Sequence, residues 1–557
     1  MKKITLIFAS AVCGLSLTTA CIQEINPQSN TVTEDQAAAA PGVFDLYVDA
    51  ITSTMTGQFG YGGTGNTYPY DYGYTSFYLM RDVMGQDIAL ASDGSWYQTW
   101  YCCGTGLGPR YAVCQMPWTY YYGWILNCNT VINMVGEEPA ENQRAGVGIA
   151  YAMRALYYME LAQMFASKTY GEDPSAETVP LITGALDEDL THNPRRPNSE
   201  MWAFIISDLD KAEELLQGYT RPNKTIPDVS VVYGLKARAY LVMCDWANAE
   251  RYAKQAQAGY TMLNEAQYTS RANGFNSMDS QSSWMLATAF HDNDDCILMN
   301  DGDSSWGSIM CLEINPEVSG CGYASNYGYP MYIDRHLYET IPATDFRKKC
   351  FVDFAIDDMS EEEQVQALGA YSDHPDWVQA TGNGGYAGCV GGLSLKFRVQ
   401  AGGNDNQYVG FVVDVPMMRV EEMYLIEAEA AGMQDAARGE ALLTAFAKTR
   451  DPNYTYGTHR DSYGNTSTST FQNECWWQRR VEFWGERLAT FDIKRLNKGI
   501  IRSYPNTNHL EGYRWNTNEP PAWMNLCIVE TETMYNYDCT NNPTPIPPTT
   551  DSPEYQF

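Results

Sequence analysis

Arg480, Glu482, Glu486, Arg487, Asp492 and Arg495 could pass for an acid–base site. Opposite charges at neighbouring helical positions more often pair and orient a packed helix than do chemistry, so none of these residues is read as catalytic. Arg154, nearly alone on an apolar helix, is read the same way, as the partner of a buried carboxylate or a helix end. The six His, at 192, 291, 336, 374, 459 and 509, form no HExxH motif, and neither a GxSxG elbow nor a GK[ST] loop occurs. Zinc hydrolysis, α/β-hydrolase chemistry and P-loop nucleotide binding therefore lose their usual signatures. Glycosidases pass this filter, because two carboxylates at the right separation suffice and 68 acidic residues are present.

Asp292, Asp294, Asp295, Asp301 and Asp303 suggest a hard-cation loop. The match to an EF-hand fails at Trp306, where Gly is needed, and at Leu312, where the closing Glu should stand, so a solvated acidic loop is expected and no metal or cofactor is assigned. Aromatic loops carry the stronger binding signal. A sugar ring presents an apolar C–H face edged by hydroxyls, which suits an aromatic ring beneath and amide or carboxylate groups at the edge. Trp96, Tyr97, Trp100 and Tyr101 crowd one loop, with Asp93, Gln98 and Asn66 as polar partners, and Trp306, Tyr323 and Tyr327 mark a second group. These seven rings are the candidate ligand-binding residues. Each could instead be an anchor packed on the scaffold, and a peptide ligand could use the same rings.

The elements that must hold these loops are mostly helices. Ile149 to Phe165 is apolar nearly all round, as in a helix inside a large helical body. Ser199 can cap a helix whose Trp202, Ile205, Leu209, Ala212 and Leu216 share one face. Val231 to Cys244 and the helix starting at Asp245-Trp246, with Ala249, Ala253 and Ala256 on one stripe, form a pair. Arg419 to Ala431 and Gln434 to Lys448, turning at Gly432, form another. Such pairs resemble tetratricopeptide repeats, without a strict 34-residue period. A long helix is expected from about Glu474 to Asn497, with Trp477, Val481, Trp484, Leu488 and Phe491 as its apolar stripe. The Gly- and Tyr-rich segments from Gly57 to Gly73 and from Gly94 to Trp124 read as irregular loops. So does 284–415, apart from strand-like runs at Leu393 to Val399 and Phe411 to Val415.

Lys2 and Lys3 precede an apolar run from Ile4 to Ala20, as in a secretory signal. Leu17-Thr18-Thr19-Ala20-Cys21 then resembles a bacterial lipobox, which makes Cys21 the acylated first residue of the mature chain. The expected organisation is a signal over 1–20, a lipidated tether over 21–32, in advance of a capping box at Thr33 to Gln36, a helical domain over 33–540 with a loop-rich insertion at about 284–415, and a Pro/Thr-rich tail over 541–557. A formal net charge of −32 repels phosphate backbones, so nucleic acid is not an expected partner. Hydrophobic residues at 44% against 19% charged exclude a disordered chain. Thirteen Cys remain after Cys13 and Cys21, none in a CxxC pair, and one or two local bridges are expected among Cys102, Cys103, Cys114 and Cys128.

Several segments together resemble the SusD/RagB family: Asn26-Pro27 after the lipobox, Asn127 to Asn133, Ala152 to Tyr158, Lys236 to Leu241, Arg271 to Asn276, Arg419 to Glu429, and Arg479 to Arg487 with Asp492 and Arg495. The resemblance runs through nearly the whole mature chain. It implies a mostly α-helical, tetratricopeptide-like scaffold with an irregular ligand-binding half. It also implies an outer-membrane lipoprotein, facing the cell exterior, that binds glycans or in some branches peptides and hands them to a TonB-dependent, SusC-like transporter without cutting them. A peptide-binding member and a lipid-anchored glycosidase are the rival expectations.

Overall fold

Arg144 to Phe165 offer so little polar surface that, coiled as a helix, they must be covered on every side, and from Gly146 onward all but Tyr151 are buried. The rest of the architecture is built around that requirement. The computed structural model describes residues 42–58, 68–103, 105–135, 138–184, 188–298, 304–317, 322–382, 391–546, 548–549 and 552–557. The lipobox with Cys21, the capping box at Thr33 to Gln36, Asn66, Asp301, Asp303, Cys321 and Cys389 lie outside these. The chain divides into two units, 1–46 and 47–557, and the second carries the architecture.

Helices of seven or more residues are α1 (Val43–Ser53), α2 (Ser76–Val83), α3 (Ala112–Val135), α4 (Arg144–Phe165), α5 (Asn198–Leu215), α6 (Val229–Val242), α7 (Trp246–Ala256), α8 (Glu361–Leu368), α9 (Pro375–Gly382), α10 (Val420–Gln434), α11 (Ala436–Lys448), α12 (Thr470–Glu482) and α13 (Ala489–Arg495). Helix α3 packs on α4, α4 on α5, α6 on α7, α7 on α10 and α10 on α11. The expected mostly α scaffold of helix pairs is present. Asp245 caps α7 by accepting from Asn248 N, and Ala249, Ala253 and Ala256 are buried as the small-residue stripe requires.

Three short antiparallel strand pairs complete the unit: β1 (Ile88–Leu90) with β5 (Met331–Ile333), β2 (Glu177–Pro180) with β3 (Arg195–Pro197), and β4 (Trp284–Ala289) with β6 (Asp414–Arg419). The loop-rich stretch has a core of its own, in which Ala89, Leu312, Tyr332, Val352, Leu368 and Leu393 cluster.

Several expectations need correction. The end of the loop expected from Gly94 to Trp124, residues 112–124, is the start of α3, because Met116, Tyr120, Tyr121, Trp124, Ile125 and Cys128 recur at helical spacing and are buried; burial overrides the loop-like composition. Ser199 lies inside α5, whose N-cap is Pro197. The turn between α10 and α11 is at Asp435, which caps α11, and not at Gly432. Gly432 instead permits contact: a Cβ there would sit 2.1 Å from the Phe471 ring, and one on Gly439 would sit 2.1 Å from the Gly432 Cα. Residues 393 and 394 make only isolated bridges, and the strand expected at 411–415 begins at Asp414. Cys102, Cys103, Cys114 and Cys128 are thiols. Those of Cys102, Cys103 and Cys114 each donate to a carbonyl, of Thr99, Trp100 and Leu107 in turn, so the expected bridges within that group are absent.

The expected helix over 474–497 is broken in two. Gly485 and Arg487 both take positive φ, 74° and 75°, and the Asp82 carboxylate accepts from the backbone N–H groups of Arg487 and Ala489. The break turns the charged side chains in several directions. Glu482 is buried among Arg347 at 3.2 Å, Arg419 at 3.0 Å and Arg450 at 3.1 Å. Glu486 takes Arg419 at 2.8 Å and Lys396 at 2.5 Å. Arg487 and Arg81 share Glu160 of α4, and Asp492 takes Arg479 and Arg495, each at 2.7 Å. Arg154 makes a two-pronged contact with Asp208 of α5, both bonds 2.8 Å long. Burial by itself raises the Glu482 carboxyl, but Arg450, Arg419 and Arg347 outweigh it and hold it well below the usual carboxylate range. Glu160 is likewise raised by burial and lowered more by Arg81 and Arg487, to about 2.

Three outcomes are expected from this packing. Gly432→Ala should lower unfolding stability by about 1–3 kcal/mol, read as a reduced denaturation midpoint, and an unchanged midpoint would contradict the close contact with Phe471. Glu482→Gln leaves three guanidinium groups around a neutral amide and should cost about 3–5 kcal/mol. Glu482 and Glu160 have folded-state values below the ordinary 4.5, so below that pH the unfolded chain takes up protons first. Stability should therefore fall as pH drops from about 4.5 toward 2, and the acid limb should be shallower in Glu482→Gln; equal slopes in the two proteins would refute the assignment.

Candidate ligand-binding surface

The segment after α2 turns into β1, whose register with β5 decides where the neighbouring loops emerge. Leu90 pairs with Met331 and Ile88 with Ile333. In an antiparallel pair the end of one strand lies beside the start of the other, so the loop leaving β1 (91–97) and the loop entering β5 (322–330) emerge together. They meet at Gly94. The Tyr329 ring packs so closely there that a Cβ on Gly94 would come within 2.6 Å of it, and the Tyr323 hydroxyl lies 3.5 Å from the Gly94 carbonyl. The two aromatic groups, more than two hundred residues apart in sequence, thus form one surface.

The base of this surface is clamped. Arg480 Nε donates to both carboxylate oxygens of Asp87, at 2.9 and 3.0 Å, Trp484 Nε1 donates to the Asp87 carbonyl at 2.8 Å, and Asp334 N donates to the same carbonyl at 3.0 Å. Asp87 immediately precedes β1 and Asp334 immediately follows β5, so one site ties both strands to α12 and the break after it.

Of the seven candidate rings, Trp96 and Tyr327 are open to solvent, at 40% and 45% exposure. Trp96 leans on Tyr68, ring centroids 5.5 Å apart, and on Tyr70 at 6.2 Å, while Tyr68 and Tyr70 stack at 5.3 Å. Tyr327 lies 5.8 Å from Tyr323, which stacks on Tyr329 at 5.0 Å. Tyr323 is mostly covered.

Tyr97, Trp100, Tyr101 and Trp306 are corrections: all four are buried in the scaffold. Tyr97 bonds to Tyr72 through the two hydroxyls at 2.6 Å, and burial pushes its phenol well up. Trp100 meets the Tyr70 ring edge-on at 5.0 Å, Tyr101 bonds His509 at 2.6 Å, and Trp306 stands against Tyr78 and Phe397. A sequence signal for this existed. Residues 97, 100 and 101 are spaced i, i+3, i+4 and share one face of the helical turn Gln98–Tyr101, whereas Trp96 falls off that face. Tyr68, which sequence reasoning placed only in a Tyr-rich loop, is the ring it missed.

Of the polar partners, Gln98 Nε2 donates to the Tyr513 hydroxyl at 2.9 Å, while Asn66 lies outside the described residues. Among the described residues no group of His, Cys, Asp and Glu side chains is arranged to hold a metal, and Asp292, Asp294 and Asp295 make no such cluster. The carboxyl with the clearest acid–base shift, Asp82, is raised to about 7 by burial against the lowering pull of the Arg487 and Ala489 N–H groups. It is 2% exposed, beneath the break between α12 and α13 whose N–H groups it accepts.

Trp96→Ala and Tyr327→Ala should each weaken ligand binding by about 1–3 kcal/mol without lowering the melting temperature much, borrowing the magnitude for base stacking. Trp100→Ala should instead destabilise the fold by about 3–5 kcal/mol. Loss of affinity without loss of stability in Trp100→Ala would invert the assignment.

Comparison with known proteins bears on the fold that carries this surface. Residues 79–241 match the SusD-like family model described as starch-binding, associating with the outer membrane. No curated protein matches the chain. A SusD-like carbohydrate binding protein from Bacteroides vulgatus superposes with TM-score 0.67 at 20% identity, over 89% of this chain and 97% of that one. SusD superfamily proteins from Bacteroides thetaiotaomicron (TM-score 0.62, 17% identity, 92% and 100% covered) and Bacteroides fragilis (0.61, 20%, 90% and 99%) are similar in the same way. Residues 79–241 thus resemble the SusD-like family in sequence, and about nine-tenths of the chain shares the fold of SusD superfamily proteins.

Proposed function

We propose that this protein captures oligosaccharides at the cell surface, performs no chemical step on them, and delivers them to a TonB-dependent, SusC-like outer-membrane transporter. The observation that carries the binding step is Trp96, 40% exposed on a bed of Tyr68 and Tyr70 and joined through Gly94 to the loop of Tyr327. Leaving such rings in water is unfavourable unless something covers them, and the C–H face of a sugar does so while its hydroxyls stay hydrated. The family description as starch-binding makes α-glucans the first ligands to try.

Attachment follows from acylation at Cys21, after removal of 1–20, with 21–32 as the tether. No helix among the described residues is long and apolar enough to cross a membrane, so nothing described competes with the lipid as anchor.

Affinity electrophoresis of the mature protein through gels containing a panel of polysaccharides, α-glucans first, should show retarded migration in at least one gel, with no new reducing ends. Release of reducing ends would instead make it a glycosidase. Retention by none of the glycans with binding of oligopeptides would make it a peptide carrier.

A further inference from the structure

Cys114 and Cys527 stand more than four hundred residues apart in sequence, and their side chains meet in the fold. Cys114 lies near the start of α3, and Cys527 lies in the extended segment after the turn Ala522–Met524. That segment is fixed by three contacts: Leu526 N donates to the Met164 carbonyl at 2.9 Å, Glu530 N donates to the Pro109 carbonyl at 3.0 Å, and Arg110 pairs with Glu530 at 2.6 Å. Both are fully buried thiols that touch each other, with the Cys114 sulfur also 3.0 Å from the Leu107 carbonyl and the Cys527 sulfur 3.7 Å from those of Asn542 and Pro543. This is a different pair from any within 102–128, and it joins the carboxy-terminal segment to the helical scaffold.

We propose that Cys114 and Cys527 close a disulfide in the exported protein. The cellular setting rests on the reading of 1–21 as an export and lipidation signal, because thiols kept in the cytoplasm stay reduced. In forming the S–S bond the two thiols lose two protons and two electrons. The electrons pass to the disulfide of an exported thiol oxidoreductase, which leaves as a dithiol. The folded chain covers both sulfurs, so the exchange takes place before the segment around 522–530 has docked. The finished bond is then shielded from reductant. Closing so long a loop restricts the unfolded chain strongly, which favours the folded state.

The test uses full-length protein in two forms, one isolated from the cell envelope of a bacterium that exports it and one refolded in a glutathione buffer poised like an oxidising compartment. Free thiols are blocked with N-ethylmaleimide under denaturing conditions, and the digest is weighed by mass spectrometry with and without phosphine reductant. The expected result in both forms is a linked pair of peptides carrying Cys114 and Cys527 that separates on reduction, with Cys114 becoming alkylated in Cys527→Ser. The linked protein should also melt a few degrees higher than the same protein reduced while unfolded. Alkylation of both thiols in the refolded form overturns the pairing. Linkage in the refolded form but not in the envelope form leaves the pairing intact and contradicts the export reading instead.

Discussion

The fold depends on charges that have been taken out of water and must all be answered. Glu482 has no solvent and three guanidinium groups around it, from 347, 419 and 450. Removing any one element leaves an unpaired charge in a low-dielectric interior, at a cost of several kcal/mol. Those partners come from three places: a turn in the loop-rich half, the end of β6 and the second residue past α11. Glu160 of α4, shared by Arg81 and Arg487, extends the same requirement to α2 and α4. The network therefore permits one mutual placement of helices and loops that hydrophobic burial alone would leave freer.

The proposed binding surface is a consequence of that placement. Arg480 is held in α12 beside the Glu482 cluster, and through Asp87 it fixes the start of β1. Pairing with β5 then brings the two aromatic loops out together. Rigid support matters for a ring proposed to meet a flat sugar face, since affinity is lost when the ring must first be ordered. Division of labour among the aromatics results: Tyr97, Trp100 and Tyr101 fill space beneath, and Trp96 faces outward. The charged residues that look reactive in the sequence serve this support.

Much of the scaffold was legible in the sequence, because α4, α5, α6, α7, α10 and α11 carry their apolar faces in patterns that need no tertiary information. Arg154 and Arg480 were legible as ion-pair formers by their setting. What escaped depended on contacts between distant segments. The break at 483–488 is imposed by Asp82, roughly four hundred residues earlier, which takes two backbone N–H groups that a continuous helix would have used otherwise. The meeting of the loops that carry Trp96 and Tyr327 depends on a three-residue strand pair too short to show a period. The over-assignment of Trp100, Tyr101 and Trp306 arose from treating every ring in a loop as equal, when the i, i+3, i+4 spacing of 97, 100 and 101 already separated the inward rings from Trp96.

A pair of loops that works as one surface should respond to ligand as one. Hydrogen exchange of the mature protein, recorded with and without a saturating oligosaccharide that it retains in a gel, tests this most directly. The account predicts slowed exchange in both 91–97 and 322–330, with the interior of α12 unchanged. Protection confined to one loop, or located elsewhere while both loops exchange as before, would contradict it.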